Sequence, residues 1–204
     1  MEMIKKNKSN ENEYMKLKPE IIDIILDSAE LLFNEQGYCP VSLELVAEKA
    51  GVSKRTLYKY FGDKNGLVSK VLLRRDTFFQ ESLTDVIAVF TEKKDKINAI
   101  ISWHIRWFHD DNYRGCMFVR AQVEYGNKSE EICAIVRMHK QWIQNSIHQC
   151  LGGTQSCEAA ACLIMLILEG MITCTTIFGV EGRDFTNEKM YIYDIIDKID
   201  IENA

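Results

Sequence analysis

The stretch from Leu45 to Leu67 concentrates side chains that bind polyanions. It carries five Lys or Arg residues against two Asp or Glu residues, and its tyrosines stand among the cations. Lys and Arg pair with phosphate oxygens and with the acceptor atoms of guanine. Thr and Tyr hydroxyls add hydrogen bonds to phosphates or bases. These residue types at this density predict a polyanion-binding surface.

The charge is unevenly distributed along the chain. The 204 residues carry a formal net charge of −5, yet residues 42–75 hold eight basic and three acidic side chains, a net +5. The remainder therefore carries −10. A basic segment on an acidic chain favours a polyanion-binding module joined to a domain with another task. Chance clustering of charges on a solvated face gives the same count.

Capping residues and helical periodicity place the basic stretch on two short helices. An apolar stripe at helical spacing follows Ser42, a predicted N-cap, and stops at Gly51, which permits a sharp turn. Ser53 is the predicted N-cap of the second helix, in which Leu57, Tyr60 and Phe61 are expected to point inward. Two short helices around such a turn form a helix-turn-helix. Its second helix then exposes Lys54, Arg55, Thr56, Tyr58 and Lys59.

The rest of the chain also has a helical period, and no useful alternating strand pattern occurs. We expect an all-α protein of about nine helices. Gly62 ends the third helix, and Asp63 is the predicted N-cap of the fourth. Beyond the helix-turn-helix and the first helix at 20–36, the predicted helices lie near 64–89, 94–109, 115–126, 129–151, 156–179 and 186–201.

A short motif set gives the basic stretch a family resemblance. Ala-Gly-Val-Ser stands at 50–53, Thr-Leu-Tyr at 56–58 and Tyr-Phe at 60–61, followed by Lys64 and Leu67. Together these residues resemble the DNA-binding signature of the TetR (tetracycline-repressor-like) family of bacterial transcription regulators. Arg55 departs from the pattern, since many members have Gly there, and we expect it to add a base or phosphate contact.

The resemblance implies a cytoplasmic homodimeric repressor that a small molecule releases from a palindromic operator in double-stranded DNA. It implies a helix-turn-helix domain at 19–66 and a ligand-binding and dimerisation domain at 67–204. Residues 1–18 are rich in Lys, Asn, Glu and Ser, and this composition predicts a disordered tail. The last two helices of each copy would form a four-helix dimer interface. Neither a cofactor nor a membrane is expected. The residues predicted to contact DNA are Ser42, Ser53, Lys54, Arg55, Thr56, Tyr58, Lys59, Tyr60 and Lys64.

Aromatic and methionine side chains cluster in the C-terminal half. Ordinary core packing explains any single one of them, but as a set they suit an adaptable apolar pocket for an aromatic or amphipathic effector. The polar candidates there are His104, Arg106, Arg120 and Glu124. The predicted pocket residues are Trp103, His104, Trp107, Met117, Phe118, Tyr125, Trp142 and Met171.

The seven cysteines are scattered, and neither a CxxC nor an HxxxH motif occurs. This pattern predicts free thiols in a reducing compartment and no metal site. Cys116 stands near a predicted helix N-terminus beside Arg114, and both features favour a thiolate. A thiol-based redox or electrophile sensor that uses Cys116 is therefore the alternative to ligand sensing.

A helical enzyme is a more remote alternative. The sequence contains no GxSxG, HExxH, P-loop or Rossmann glycine signature, which argues against it. The apolar run Ala159–Leu168 ends at Glu169 and is shorter than the roughly 18 residues that span a bilayer. It is predicted to be a helix that is buried in the core or at a subunit interface.

Overall fold

The computed structural model describes residues 19–202, and the predicted tail at 1–18 lies outside them. The described residues form nine α-helices and one short 3₁₀ helix, and no β-strand occurs among them, as the sequence predicts. The helices are α1 (Pro19–Gln36), α2 (Leu43–Ala50), α3 (Lys54–Phe61), α4 (Lys64–Ala88), α5 (Lys93–Phe108), α6 (Met117–Tyr125), α7 (Glu130–Cys150), α8 (Glu158–Phe178) and α9 (Thr186–Glu202), with the 3₁₀ helix at Gln155–Cys157.

Contacts divide the chain into two compact units after Val71, a few residues beyond the predicted boundary at residue 66. The first unit contains α1, α2, α3 and the beginning of α4. Its core is built on the apolar stripe of α1, where Ile25, Ala29 and Phe33 are buried, and on Leu57 and Leu67. Burial of these side chains provides the hydrophobic stabilisation that short helices such as α2 and α3 lack alone.

The turn between α2 and α3 is closed by Gly51. Its φ is +67°, in the left-handed region, and its amide donates to the backbone oxygens of Ala47 and Glu48 at the end of α2. The next amide, that of Val52, also donates to the Ala47 oxygen at 3.0 Å. Glycine fits this position because it adopts positive φ without steric cost.

The start of α4 follows a second glycine turn. Gly62 ends α3 with φ +73°, and the carboxylate of Asp63 accepts the Gly66 amide at 2.8 Å, as expected of the predicted N-cap. Only Leu57 of the three predicted inward-facing residues of α3 is buried. Tyr60 and Phe61 are half-buried, since an eight-residue helix places only one narrow stripe against its neighbours.

The second unit packs α5 to α9 with the C-terminal part of α4 around one apolar core. Helix α8 contacts α5, α7 and α9, and its buried face includes Ala161, Ile164, Leu168 and Ile172. The opposite face of α8 stays exposed and is also apolar, with Leu163, Leu166, Ile177 and Phe178 accessible. An apolar face of this size on a helix indicates a covered surface.

By length and composition alone, Gln155–Phe178 is apolar enough to cross a membrane. One helix of this kind is weak evidence, because a core helix of a soluble protein passes the same test. Here one face packs in the core of the second unit, which fits the sequence-based expectation of a buried helix.

One apolar stripe that was expected at the dimer interface lies inside the second unit. The sequence offers Ile192, Ile195, Ile196 and Ile199 as a second apolar stripe for the dimer, but Ile192, Ile196 and Ile199 are buried in the core beside α8. Ile195 is half-buried, and the exposed apolar residues of α9 are Met190 and Tyr191. Periodicity reveals an apolar face of a helix but does not reveal which neighbour covers it.

The backbone of Gly51 predicts a stability effect. Gly51→Ala should lower the free energy of unfolding of the first unit by about 1–2 kcal/mol, because a β-carbon disfavours the left-handed region. A Cβ at this position meets no atom within 4 Å, so the loss is conformational and not a clash. Gly51→Asn is the matched control and should lose less, since Asn enters that region more readily. Denaturant unfolding measures both, and equal losses would contradict this explanation.

Candidate nucleic-acid interface and candidate effector cavity

Three side chains that are predicted to contact DNA use their hydroxyl groups for hydrogen bonds within the helix-turn-helix. Ser42 caps α2 by accepting the Leu45 amide at 3.1 Å. Ser53 caps α3 by accepting the Thr56 amide at 3.1 Å, and the Ser53 and Thr56 hydroxyls lie 2.8 Å apart. These bonds satisfy amides that every helix N-terminus leaves without a partner. They also fix the side chains at the end of α3 that a recognition helix presents to DNA.

The exposed face of α3 carries the predicted cations. Lys54, Arg55, Tyr58 and Lys59 are exposed, whereas Thr56 and Tyr60 are half-buried. The ammonium groups of Lys54 and Lys59 lie over the rings of Tyr58 and Tyr60, at 5.9 and 5.4 Å from the ring centroids. The structure therefore places these six residues together on one short helix.

The cations on α3 differ in their partners. Lys54 pairs with Glu44 of α2. A hydrogen bond from Lys54 lowers the pKa of Glu44, and the same bond raises the pKa of Lys54. Arg55 makes no hydrogen bond or ion pair with any residue that the structure describes. Its guanidinium is therefore the α3 cation most available to a ligand.

Lys64 makes a contact that the sequence analysis missed. Its ammonium donates to the backbone oxygen of Cys39 at 3.1 Å, which links the start of α4 to the loop before α2. The residue is half-buried. Lys64 thus stabilises the contact between the start of α4 and the loop before α2. Its contact with phosphate stays a prediction.

The second unit encloses a small cavity of about 20 Å³. A volume of this order holds about one water molecule. Four predicted pocket residues, His104, Trp107, Met117 and Phe118, line it together with Cys116. The other residues that line the cavity were not among the predicted pocket residues; they are Arg75, Phe79, His139, Lys140, Ile143 and Ile172.

The other four predicted pocket residues lie elsewhere in the second unit. Trp103 donates its indole N–H to the Ser82 hydroxyl at 2.7 Å. Tyr125 and Met171 are buried without lining the cavity, and Trp142 lines an outer groove of about 510 Å³. The clustering of aromatic and methionine residues along the chain predicted one shared pocket, but clustering in sequence does not separate residues that line a cavity from residues that pack elsewhere.

A buried hydrogen bond joins α4 to α7 beside the cavity. The Nδ1 atom of His139 lies 2.8 Å from the Oδ1 atom of Asp76, and Oδ2 of Asp76 accepts from Gln80 at 2.8 Å. The imidazole of His139 stacks on the Phe118 ring with centroids 3.6 Å apart. A sequence signal existed for this pair: Asp76 interrupts the apolar stripe Leu72–Phe79–Leu83, and His139 interrupts Ile132–Val136–Ile143. A polar residue in each of two buried stripes indicates a pair across the core.

Burial keeps both cavity histidines neutral. It lowers the pKa of His104 to about 4, against the opposing effect of a 2.8 Å bond between Nδ1 and the Ile100 oxygen. Burial also lowers the pKa of His139 to about 4, although the bond to Asp76 favours the charged form. The nearby ammonium of Lys140 lowers the pKa of each imidazole further.

Lys140 forms a second polar cluster at the rim of the cavity. Its ammonium donates to Glu169 of α8 at 2.6 Å and to the sulfur of Cys116 at 3.4 Å. Burial alone would lower the pKa of Lys140, but the electrostatic interactions and hydrogen bonds with Cys116 and Glu169 outweigh it and raise that pKa. Cys116 is half-buried at the start of α6. Across the residues described, no three His, Cys, Asp or Glu side chains group closely enough to hold a metal ion.

The fold and the capped, basic α3 define a helix-turn-helix protein with an attached helical domain. Residues 25–71 match the family model described as bacterial regulatory proteins, tetR family. This match covers the helix-turn-helix unit, which is similar to the DNA-binding region of that family. The relatives that match parts of the chain are named as transcriptional regulators, which argues against the helical-enzyme alternative. The thiol-sensing alternative is not favoured.

The sequence relatives match parts of the chain. An uncharacterised HTH-type transcriptional regulator of Mycobacterium tuberculosis is 26% identical over 117 residues, which span 55% of this chain and 58% of that protein. The regulator HbdR of Aromatoleum sp. is 40% identical over 58 residues, 28% of this chain and 25% of the relative. The fatty acid metabolism regulator protein of Bacillus subtilis is 27% identical over 88 residues, 43% of this chain and 45% of the relative. The chain thus spans little more than half the length of the M. tuberculosis relative, and less of the other two.

Two solved structures share the fold over most of the chain. A TetR-family regulator from Streptomyces coelicolor matches with a TM-score of 0.76 at 19% identity, and the aligned region covers 89% of this chain and 95% of that chain. FadR from Bacillus subtilis, solved in complex with stearoyl-CoA, has a TM-score of 0.65 at 20% identity and covers 87% of this chain and 97% of its own.

The lowered pKa of His104 predicts a pH dependence of stability. The unfolded chain binds a proton at this residue below about pH 6.5, whereas the folded chain binds one only near pH 4. The contribution of His104 to the free energy of unfolding is therefore fully present above pH 6.5. This contribution, on the order of 3 kcal/mol, is lost as the pH falls towards 4. His104→Phe should remove this part of the pH dependence in denaturant unfolding at pH 7 and pH 4.5.

His109 provides the control for this measurement. It lies on the same helix end and makes the same 2.8 Å bond from Nδ1 to the backbone oxygen four residues earlier, but it is exposed. His109→Phe should leave the pH dependence as in the unmodified protein. A His104→Phe curve parallel to that of the unmodified protein would show that His104 is not a buried neutral group.

Proposed function

We propose that this protein is a DNA-binding transcriptional repressor that reads its operator with α3. The observation that carries the proposal is the exposed face of α3, where Arg55 lies beside Tyr58 and Lys59 and has no partner among the described residues, on a helix capped by Ser53. A recognition helix of this kind lies in the major groove with its N-terminal residues at the base edges. As a transcription factor the protein acts inside the cell.

The residues of this face divide into base readers and phosphate ligands. Arg55 is the proposed base reader, since a guanidinium forms two hydrogen bonds with guanine. Tyr58, Tyr60 and Lys64 are the proposed phosphate ligands, together with the amides at the start of α4. Lys54 contributes less in the unbound protein, because binding DNA must first compete with its ion pair to Glu44.

In this proposal the protein acts as a homodimer through the exposed apolar faces of α8 and α9. Gly170 is exposed on α8 and a Cβ there would meet no atom within 4 Å, so a second helix can approach closely. Two copies related by a two-fold axis place their recognition helices about 34–36 Å apart on one side of the DNA. This spacing predicts a nearly palindromic operator.

An effector in the cavity is the proposed signal that releases the operator. Helix α4 carries Arg75 and Phe79 at the cavity and begins, at Lys64, in the helix-turn-helix unit. An effector that displaces these side chains therefore acts on the same helix that follows α3. The coupling must be reciprocal, so that operator DNA weakens effector binding by the same factor.

The size of the cavity favours a compact effector. The B. subtilis relative is named for fatty acid metabolism, and the FadR structure holds stearoyl-CoA. A long acyl chain would have to enlarge a 20 Å³ cavity far more than a single aromatic ring does. We therefore propose a small apolar or aromatic effector.

Substitution of Arg55 tests the proposed readout. Arg55→Ala should weaken operator binding by about 1–3 kcal/mol and relax the preference at one base pair, if Arg55 contacts guanine. Lys64→Ala should weaken binding to all sequences alike and reduce the salt slope by about one. Mobility-shift titrations at several salt concentrations, on the operator and on a scrambled duplex, distinguish the two patterns.

Lys94→Ala is the matched control for the loss of one positive charge. Lys94 lies in the second unit and is exposed, so its substitution should change neither the salt slope nor the sequence preference. If Arg55→Ala and Lys64→Ala bind the operator like the unmodified protein, α3 does not dock as proposed.

Substitution of Leu166 tests the proposed dimer. Leu166 is 62% exposed on the outer face of α8, and Leu166→Asp would bury a carboxylate in the interface. The dimer dissociation constant should rise at least about a hundredfold, since burying an unpaired charge costs several kcal/mol. Val123→Asp is the control, because Val123 is 79% exposed but lies on α6. Sedimentation equilibrium that finds both variants equally dimeric would place the interface elsewhere.

A further inference from the structure

We infer that the cavity takes a compact, uncharged aromatic molecule that donates a hydrogen bond to His104, the chemical class of a phenol. The inference rests on the proposed function, since it names the class of effector for the proposed site. It follows from which nitrogen atoms of the two cavity histidines carry protons, and from the rings around them.

The hydrogen bond of His104 fixes its tautomer. Its Nδ1 lies 2.8 Å from the backbone oxygen of Ile100, and a carbonyl oxygen only accepts hydrogen bonds. Nδ1 therefore carries the proton. Because the buried ring is neutral at pH 7, Nε2 must hold a lone pair. No residue that the structure describes donates a hydrogen bond to this Nε2.

His139 has the same tautomer for a different reason. Its Nδ1 lies 2.8 Å from the carboxylate of Asp76, which in its ionised form also only accepts. The pKa of about 4 keeps the ring neutral, so its Nε2 is a second acceptor. The two imidazoles that line the cavity thus offer lone pairs and no N–H donor from Nε2.

The surroundings of His104 favour an aromatic ligand. The rings of Trp103, Phe79 and Trp107 lie 5.2, 5.7 and 6.4 Å from its ring, centroid to centroid, with interplanar angles of 66–72°. Phe79 also contacts the His139 ring at 4.9 Å. Aromatic rings prefer such edge-to-face neighbours, and Met117 supplies an adaptable wall. A further ring beside them requires the side chains around the 20 Å³ cavity to move.

The neutral histidines at the cavity do not favour an anion. Arg75 and Lys140 are the cations that line it, but the ammonium of Lys140 is already paired with Glu169 at 2.6 Å. A carboxylate that reached the histidines would place its oxygens against two lone pairs. A hydroxyl group instead donates to the lone pair of His104 and satisfies a buried acceptor.

Three small molecules of one ring size test this inference: phenol, toluene and benzoate. Each is titrated against the full-length protein by ligand-detected NMR. Phenol should bind about five- to tenfold more tightly than toluene, which corresponds to one net hydrogen bond. Benzoate should bind more weakly than both. His104→Phe should abolish most of the advantage of phenol over toluene, and His109→Phe should preserve it.

Several results would overturn the inference. These are equal affinities for phenol and toluene, tighter binding of benzoate, binding of none of the three, or an unchanged phenol advantage in His104→Phe. Mobility-shift titration of the same samples separates this failure from failure of the proposed function. If the protein binds operator DNA although phenol and toluene bind with equal affinity, only the inference about the effector fails. If the protein does not bind operator DNA, the DNA-binding proposal itself is contradicted.

Discussion

Helix α4 is the constraint on which the two units depend, because its 25 residues contribute to two separate cores. Its first part buries Leu67 and Val71 in the helix-turn-helix unit, and its later part buries Phe79 and Leu83 in the other unit. A continuous helix must keep its 3.6-residue period through both cores. That period turns Asp76 towards the interior, where its carboxylate needs partners, and the protein supplies His139 and Gln80. A polar link to α7 is thus a consequence of the helix that joins the units.

Local hydrogen bonds limit which side chains of the helix-turn-helix are available for DNA. The hydroxyls of Ser42, Ser53 and Thr56 are engaged in capping, and Lys64 braces a loop oxygen. What remains is a small set of exposed cations and tyrosines on α3, of which Arg55 has no partner among the described residues. The same bonds constrain the start of α3, which would reduce the conformational entropy lost if α3 docks on DNA as proposed. Few free groups on a rigid helix suit a readout that depends on one or two base contacts.

The interior of the second unit combines strong burial with a small number of polar groups. Burial keeps the imidazoles neutral, and the partners of their Nδ1 atoms set the tautomers. The charge of Lys140 is retained because Glu169 pairs with it at the rim. The imidazoles at the cavity are therefore polar without being charged, and they restrict the ligands that the cavity can hold more than its apolar composition does. Close packing around 20 Å³ means that any ligand must move side chains, including those of α4.

The sequence by itself determined the local structure. The helical periods, the serine and aspartate caps and the glycine stops predicted the helices to within about two residues, because each signal acts between residues close along the chain. The basic face of α3 was predicted for the same reason. Only the tertiary structure decided which inward-facing residues surround the cavity and which, such as Met171 and Ile196, are simply core. It alone joined Asp76 to His139 across 63 residues and Lys140 to Glu169 across 29, since such pairs depend on how helices pack and not on spacing within one helix.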